Sequence, residues 1–169
     1  SPFLQCQRTA RRPHRPGADH IRGAAMKAVI VDYGSGNLRS AEKATARAAE
    51  THGGGEVLVS NDPAALASAS HIILPGVGAF RDCREGLEAV DGMIDALTEQ
   101  VISGGKPFLG ICVGMQLLAD WGREHGDAPG LGWIGGDVTA LTPSDSTLKI
   151  PHMGWNSLNF DAGVHAVLE

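Results

Sequence analysis

A cysteine between two glycines is the first feature of this chain that could carry covalent chemistry. In the stretch FLGICVGMQLL, at 108–118, an apolar run leads into Gly110, Cys112 and Gly114 and then into a helical pattern. A nucleophile on a sharp strand-to-helix turn needs small neighbours two positions away on either side, because the chain folds back there. The helix N-terminus would favour the thiolate, and the Val113 amide could donate to an oxyanion. The alternative is a buried structural cysteine in a tight turn.

A second glycine-rich junction, PGVGAF at 75–80, could hold such an oxyanion. Gly76 and Gly78 leave backbone N–H groups uncovered and free to reorient where a predicted strand ends. An ordinary turn between strand and helix is the alternative for this stretch taken alone. Neither junction continues into Gly-Lys-Ser/Thr, so a phosphate-binding loop is not indicated.

Alternating strands and helices must position both junctions. Short β-branched runs predict strands at 27–32, 56–60, 72–74 and 107–111. Helices are predicted over 37–50 with Asn37 as N-cap, after Asp62-Pro63, over 80–103 with a break near Gly92, and over 113–121. This alternation predicts a mostly parallel sheet with helices on both faces and a site at the carboxyl ends of the strands. Short strands at 137–141, 148–150 and 155–160 predict a partly antiparallel edge.

Composition limits the class of protein. A length of 169 residues suits one domain, and 43% hydrophobic against 20% charged residues without a long apolar run predicts a soluble protein with no membrane contact. The three cysteines form no CxxC pair, which argues against a zinc site or disulfide framework and favours a reducing, cytoplasmic location.

The first 25 residues differ from the rest. They hold five arginines and one acid, leaving nine basic and eighteen acidic residues from Met26 onward. We expect residues 1–25 to be disordered; a non-native extension before Met26 is favoured over a transit peptide. The acidic body gives no reason to expect nucleic acid as a partner.

Four motifs, in chain order, carry a resemblance to a known family. GICVGMQLL resembles the nucleophile elbow of class I (triad-type) glutamine amidotransferases, and PGVGAF resembles their oxyanion strand. DYGSGNLRS at 32–40 and PHMGWN at 151–156 are similar to motifs of one group within it, the glutaminase subunits of imidazole glycerol phosphate synthases of histidine biosynthesis. The resemblance runs from about Met26 to the end of the chain.

The resemblance implies a flavodoxin-like α/β fold of three layers over 26–169, mostly parallel with an antiparallel edge and incomplete at its C-terminus. It implies a cofactor-independent glutaminase. Cys112 would attack the side-chain amide of L-glutamine, pass through an oxyanion to a thioester, and release glutamate and ammonia. The implied oxyanion and substrate residues are Gly76, Val77, Gly78, Val113 and Gln116.

The resemblance also implies a partner, a (β/α)8-barrel cyclase in a heterodimer. Ammonia would pass to that subunit, which makes imidazole glycerol phosphate and an aminoimidazole carboxamide ribotide. An exposed tryptophan beside glycine and methionine is typical of an interface anchor, whereas a core tryptophan is the alternative. The implied interface residues are Asn37, His152, Met153, Trp155 and Asn156.

The chain departs from the family at the general base. A thiolate nucleophile needs a histidine oriented by a carboxylate, which the family takes from a His-Pro-Glu segment near its C-terminus. No His-Pro-Glu occurs here, and none of the seven histidines precedes a suitably spaced Glu on a strand. We therefore expect a C-terminally truncated copy with little or no glutaminase activity.

Two other hypotheses stay open. A non-catalytic module could dock on a barrel partner without hydrolysing glutamine. A different hydrolase with a cysteine elbow is the third possibility, against which PHMGWN and PGVGAF argue.

Overall fold

Strands and helices alternate through the first hundred residues that the structure describes. The computed structural model describes residues 26–124, 126–145, 147–151, 154–157 and 159–161, so the disorder predicted for 1–25 lies outside the described residues. The elements are β1 (Lys27–Val31), α1 (Leu38–Thr51), β2 (Glu56–Ser60), α2 (Ala64–Ser68), β3 (His71–Gly76), α3 (Phe80–Glu88), α4 (Met93–Leu97), a π-helical segment (Thr98–Ser103), β4 (Phe108–Cys112), α5 (Val113–Gln116), β5 (Trp121–Gly122), β6 (Ala128–Pro129) and β7 (Asp137–Val138).

The central sheet is parallel, with the strand order β2–β1–β3–β4. After their first residues, Lys27 and His71, its middle strands β1 and β3 are apolar because helices cover both of their faces. Val29, Val31, Ile72 and Leu74 are fully buried and form the centre of the core, with α3 and α4 contributing Leu87 and further apolar side chains. The predicted α/β fold with a mostly parallel sheet is confirmed.

Local sequence signals set the helix boundaries. The Asn37 side chain accepts a hydrogen bond from the Ser40 N–H at 3.2 Å and caps α1, as predicted. Gly92, with φ of +72°, separates α3 from α4 because that backbone conformation suits glycine, which confirms the predicted break. Among the described helices, none combines the length and the apolar character that crossing a bilayer requires.

The helix after Cys112 is shorter than predicted. The sequence indicates a helix over 113–121, but α5 ends at Gln116. The carbonyls of Leu117, Leu118 and Ala119 accept hydrogen bonds from backbone N–H groups in 131–134 instead of from residues four positions on. A helix over 113–121 would have paired the Leu117 carbonyl with the Trp121 N–H, so the Leu131 N–H, from a loop distant in sequence, takes an acceptor that the longer helix needs.

The late strands are also fewer than predicted. β7 covers only Asp137–Val138, and neither 148–150 nor the described residues of 155–160 form a strand. β5 pairs antiparallel with β6 and parallel with β7 in a separate small sheet, so within the described residues the antiparallel pairing of this part of the chain lies beside the main sheet and not at its edge. Leu148 and Ile150 are 60% and 58% exposed. Their side chains are therefore not covered by another layer of the described structure, although the alternating pattern of 148–150 suits a strand.

β4 is the edge strand of the sheet that the described strands form. Leu109 and Ile111 are 55% and 38% exposed, and the strand carries no charged residue. Natural edge strands are normally guarded by charges, prolines or bulges, since unpaired backbone groups can recruit another chain.

We predict that Leu109→Lys reduces concentration-dependent self-association of the 169-residue chain, because a lysine on an edge strand opposes pairing with a second edge. Sedimentation velocity over a range of concentrations measures the effect. Ile102→Lys is the matched control, since Ile102 is also 55% exposed but lies in the π-helical segment Thr98–Ser103. Equal effects of the two substitutions would show that general surface charge, and not the strand edge, is responsible.

Candidate active site

Cys112 lies at the end of β4 in a strained backbone conformation. Its φ is 55° and its ψ is −118°, and it is the one non-glycine residue with positive φ in the described part of the chain. L-residues avoid this region, and such strain persists where surrounding structure enforces it, commonly at functional sites. The thiol is exposed where the strand turns directly into α5. This is the geometry of a nucleophile elbow, as the sequence predicts.

The glycines around Cys112 are required by backbone contacts. A Cβ on Gly114 would overlap the carbonyl oxygen of Leu74, and one on Gly110 would lie 2.6 Å from the Met115 Cα. Both contacts are with main-chain atoms, which cannot move aside as the end of a flexible side chain could. The spacing Gly-x-Cys-x-Gly therefore allows α5 to pack directly on β3 and β4.

The second glycine-rich junction lies beside the elbow. Gly76, the last residue of β3, pairs in register with Cys112 across the two parallel strands. A Cβ at Gly76 would lie 2.6 Å from the Gly114 nitrogen, so the strand end and α5 are in direct backbone contact. The loop 76–78 begins at this same Gly76, next to the nucleophile. Gly78, at its end, has a φ of +97°.

The predicted oxyanion and substrate residues occupy this same edge of the sheet. Val113 is the first residue of α5 and is buried, and Gln116, at the end of α5, is half-buried. Val77 is 62% exposed, and its N–H donates to the Ser35 hydroxyl at 3.1 Å. In this structure the Val77 amide is therefore engaged by the protein itself.

Three polar side chains beneath the loop were not singled out from the sequence. Tyr33 and Ser35 belong to the DYGSGN turn after β1, and Cys83 is a buried residue of α3. The Tyr33 hydroxyl donates to the Pro75 carbonyl at 2.6 Å. Burial and, next, the neighbouring Cys83 raise the pKa of the Tyr33 phenol, so it remains a neutral donor. The DYGSGN turn motif was the sequence signal that could have drawn attention to Tyr33 and Ser35. It could not show what these residues contact, because their partners lie 42 or more residues away in sequence.

The two described histidines lie away from Cys112. His71 is the first residue of β3, at the end of the strand opposite Gly76, as predicted. His52 caps the C-terminus of α1, where its Nδ1 contacts the Ala48 carbonyl oxygen at 2.8 Å. The other five histidines, at positions 14, 20, 125, 152 and 165, lie outside the described residues. Over the ranges that the structure describes, no three His, Cys, Asp or Glu side chains are grouped to hold a metal ion.

Three of the predicted interface residues are described, and all are exposed. Asn37 caps α1 at the carboxyl-end edge of the sheet, which is the edge that carries Cys112. The Trp155 side chain is fully exposed at 104% of its reference area, and Asn156 follows it. His152 and Met153 lie outside the described residues. Trp155 is therefore not part of the core that the described residues form.

Sequence comparison identifies a family that covers most of the chain. The profile of the family described as "Glutamine amidotransferase class-I" matches residues 29–166. That range includes both glycine-rich junctions, the DYGSGN turn and PHMGWN.

Individual relatives are also closely similar. The chain is 58% identical over 144 residues to the imidazole glycerol phosphate synthase subunit HisH of Rhodospirillum rubrum, covering 85% of this chain and 67% of the relative. It is 54% identical to the protein of that name from Rhodopseudomonas palustris, with the same coverage, and 56% identical to that of Bradyrhizobium diazoefficiens, covering 79% of this chain and 62% of the relative. The chain thus spans about two thirds of the length of these proteins.

Proposed function

This chain belongs to the class I glutamine amidotransferase family, and on that premise we propose that its site is built for hydrolysis of the side-chain amide of glutamine with Cys112 as nucleophile. The observation that carries the proposal is the strained backbone of Cys112, held opposite Gly76 at the carboxyl ends of two parallel strands. A buried structural cysteine needs neither that strain nor exposure of its sulfur.

The proposed reaction proceeds in two steps. The Cys112 thiolate adds to the amide carbon of glutamine and forms a tetrahedral oxyanion, near the Val113 amide and the loop 76–78. Collapse breaks the carbon–nitrogen bond, and ammonia leaves once its nitrogen has gained a proton. Water then cleaves the γ-glutamyl thioester, giving glutamate and restoring the thiol. Gln116, one helical turn from Cys112, is proposed to contact the substrate.

The proposed destination of the ammonia is a partner subunit. The relatives are named as subunits of imidazole glycerol phosphate synthase, and we propose that this chain pairs with a (β/α)8-barrel cyclase of that enzyme in histidine biosynthesis. The exposed Trp155 side chain supports an interface there, because a large aromatic with no covering layer is a common anchor for a partner protein. Asn37, His152, Met153 and Asn156 are proposed to share that surface.

A second candidate function is a docking module without glutaminase activity. It is favoured by the positions of His52 and His71, neither of which is placed to serve Cys112 as a base. Reaction of Cys112 with a glutamine analogue separates the two, because the 169-residue chain is expected to turn over little glutamine under either function. A stereoselective glutamine site at Cys112 supports the glutaminase, whereas cyclase binding without such a site supports the module.

We predict that a glutamine-shaped chloroketone labels Cys112 of the 169-residue chain stereoselectively. Its carbonyl occupies the position of the glutamine amide. The thiolate displaces chloride from the adjacent carbon and forms a stable thioether, a single alkylation that does not require the base that turnover requires. Intact-mass and peptide mass spectrometry measure the adduct, with L-glutamine as competitor. Equal labelling by the D-isomer, or no protection by L-glutamine, would contradict a glutamine site at Cys112.

A further inference from the structure

Half of the backbone groups of β4 face away from the sheet. The Ile72 N–H donates to the Pro107 carbonyl at 2.9 Å, so Pro107 and every second residue after it face β3. The direction of the backbone groups alternates along a strand, and those of Phe108 and Gly110 therefore point outward, as does the Cys112 N–H. Among the described strands, none pairs with β4 on that side. The edge thus offers a row of hydrogen-bonding groups to another strand.

The side chains along this edge are apolar and open to solvent. Leu109 and Ile111 lie two positions apart on one face of β4 and are 55% and 38% exposed. Their neighbours in register on β3, Ile73 and Pro75, are buried, so the exposed area begins at the edge strand itself. β4 contains no charged residue, and two copies of it can therefore face each other without repulsion between like charges.

The same five residues can supply both sides of an antiparallel pairing. A two-fold axis at Gly110 places Gly110 opposite its own copy and Phe108 opposite Cys112 of the second copy, and these are the residues whose backbone groups face outward. Leu109 then lies opposite Ile111 of the second copy, once on each side of the axis. Such a pair is of the non-hydrogen-bonded kind, in which the Cα atoms are about 4.5 Å apart and the side chains are closest. The two exposed apolar side chains therefore cover each other.

We propose that the edge of β4 is the interface of a two-fold dimer of this chain, in which two copies of Phe108–Cys112 pair antiparallel about Gly110 and join their parallel sheets into one. The paired segment is short, so the dimer is reversible and its fraction rises with protein concentration. The pairing brings the second copy up to Cys112, the residue at the end of the strand. The dimer does not depend on the chemistry proposed for Cys112.

Sedimentation velocity of the unmodified 169-residue chain over a range of concentrations tests whether the dimer forms. The weight-average sedimentation coefficient should rise from that of a monomer to that of a dimer and then level off, because a two-fold pairing uses the β4 edge of both copies. A monomer at every concentration, as expected if residues 162–169 of the same chain occupied this edge, would overturn the proposal. A continuing series of larger species would overturn it as well.

Disulfide cross-linking tests the register. A Leu109→Cys chain is mixed with an Ile111→Cys chain, both also carrying Cys6→Ser and Cys112→Ser, so that the buried Cys83 is the one native thiol left. Facing Cα atoms about 4.5 Å apart allow a disulfide, whereas the two copies of position 109 are offset by about 7 Å along the strand. In oxidised glutathione the mixture should therefore form linked dimers at least about ten-fold faster than either chain alone. Fastest linking of Leu109→Cys to itself would place the axis elsewhere and overturn this register, and equal rates in all three samples would overturn a specific pairing.

Discussion

Replacing Cys112 with serine is expected to reduce labelling by the L-chloroketone at least about a hundred-fold, to the background given by the D-isomer. The effect should be among the largest of any single substitution, because the Cys112 thiol is the exposed nucleophile that the described residues place at this site. A serine hydroxyl is a far weaker nucleophile without a neighbouring base, and the described histidines, His52 and His71, lie elsewhere. Mass spectrometry of the intact chain over time measures the loss.

Two comparisons establish that this loss is specific. Cys6→Ser changes a cysteine outside the described residues and should leave stereoselective labelling unchanged. The far-ultraviolet circular dichroism of Cys112→Ser should match that of the wild type, since serine is close to cysteine in shape. Persistent L-selective labelling of Cys112→Ser at another residue would assign the nucleophile elsewhere.

The parallel sheet could be predicted because its determinants are local. Each central strand is a short apolar run followed by turn residues, and the parallel order follows from the helices between the strands. The elbow was predictable for a related reason. Tight backbone packing on both sides of Cys112 leaves no room for side chains, so the requirement appears directly as glycine at 110 and 114.

The wrong predictions arose where non-local contacts decide the structure. Nothing within 113–121 shows that the loop 131–134 will take the carbonyls of residues 117–119. The alternation at 148–150 resembles a strand, yet a strand needs a neighbour with which to pair and a layer on which to pack. The Ser35–Val77 contact joins residues 42 positions apart, so the sequence showed two turns but not that one holds the other.

Gly114→Ala is expected to lower the free energy of unfolding by about 3 kcal/mol, at the upper end of the range for overpacking. The added methyl group would overlap the Leu74 carbonyl, which is part of the backbone of β3, a strand that is buried from Ile72 to Gly76. Relief requires α5 to move away from β3, and that movement carries Cys112 away from Gly76. Stability and stereoselective labelling should therefore fall together. Urea denaturation, followed by circular dichroism, measures the first, and the chloroketone reaction measures the second.

Gly135→Ala is the matched control for this substitution. A Cβ at Gly135 would meet only the Asp120 Oδ2, at an ordinary contact distance of 3.8 Å. Both substitutions add the same methyl group and reduce unfolded-chain entropy alike, so the difference between them isolates the contact with β3. We expect Gly135→Ala to change the free energy of unfolding by less than about 1 kcal/mol. If Gly114→Ala were as stable as this control, direct packing of α5 on the backbone of β3 would not be what holds Cys112 at the elbow.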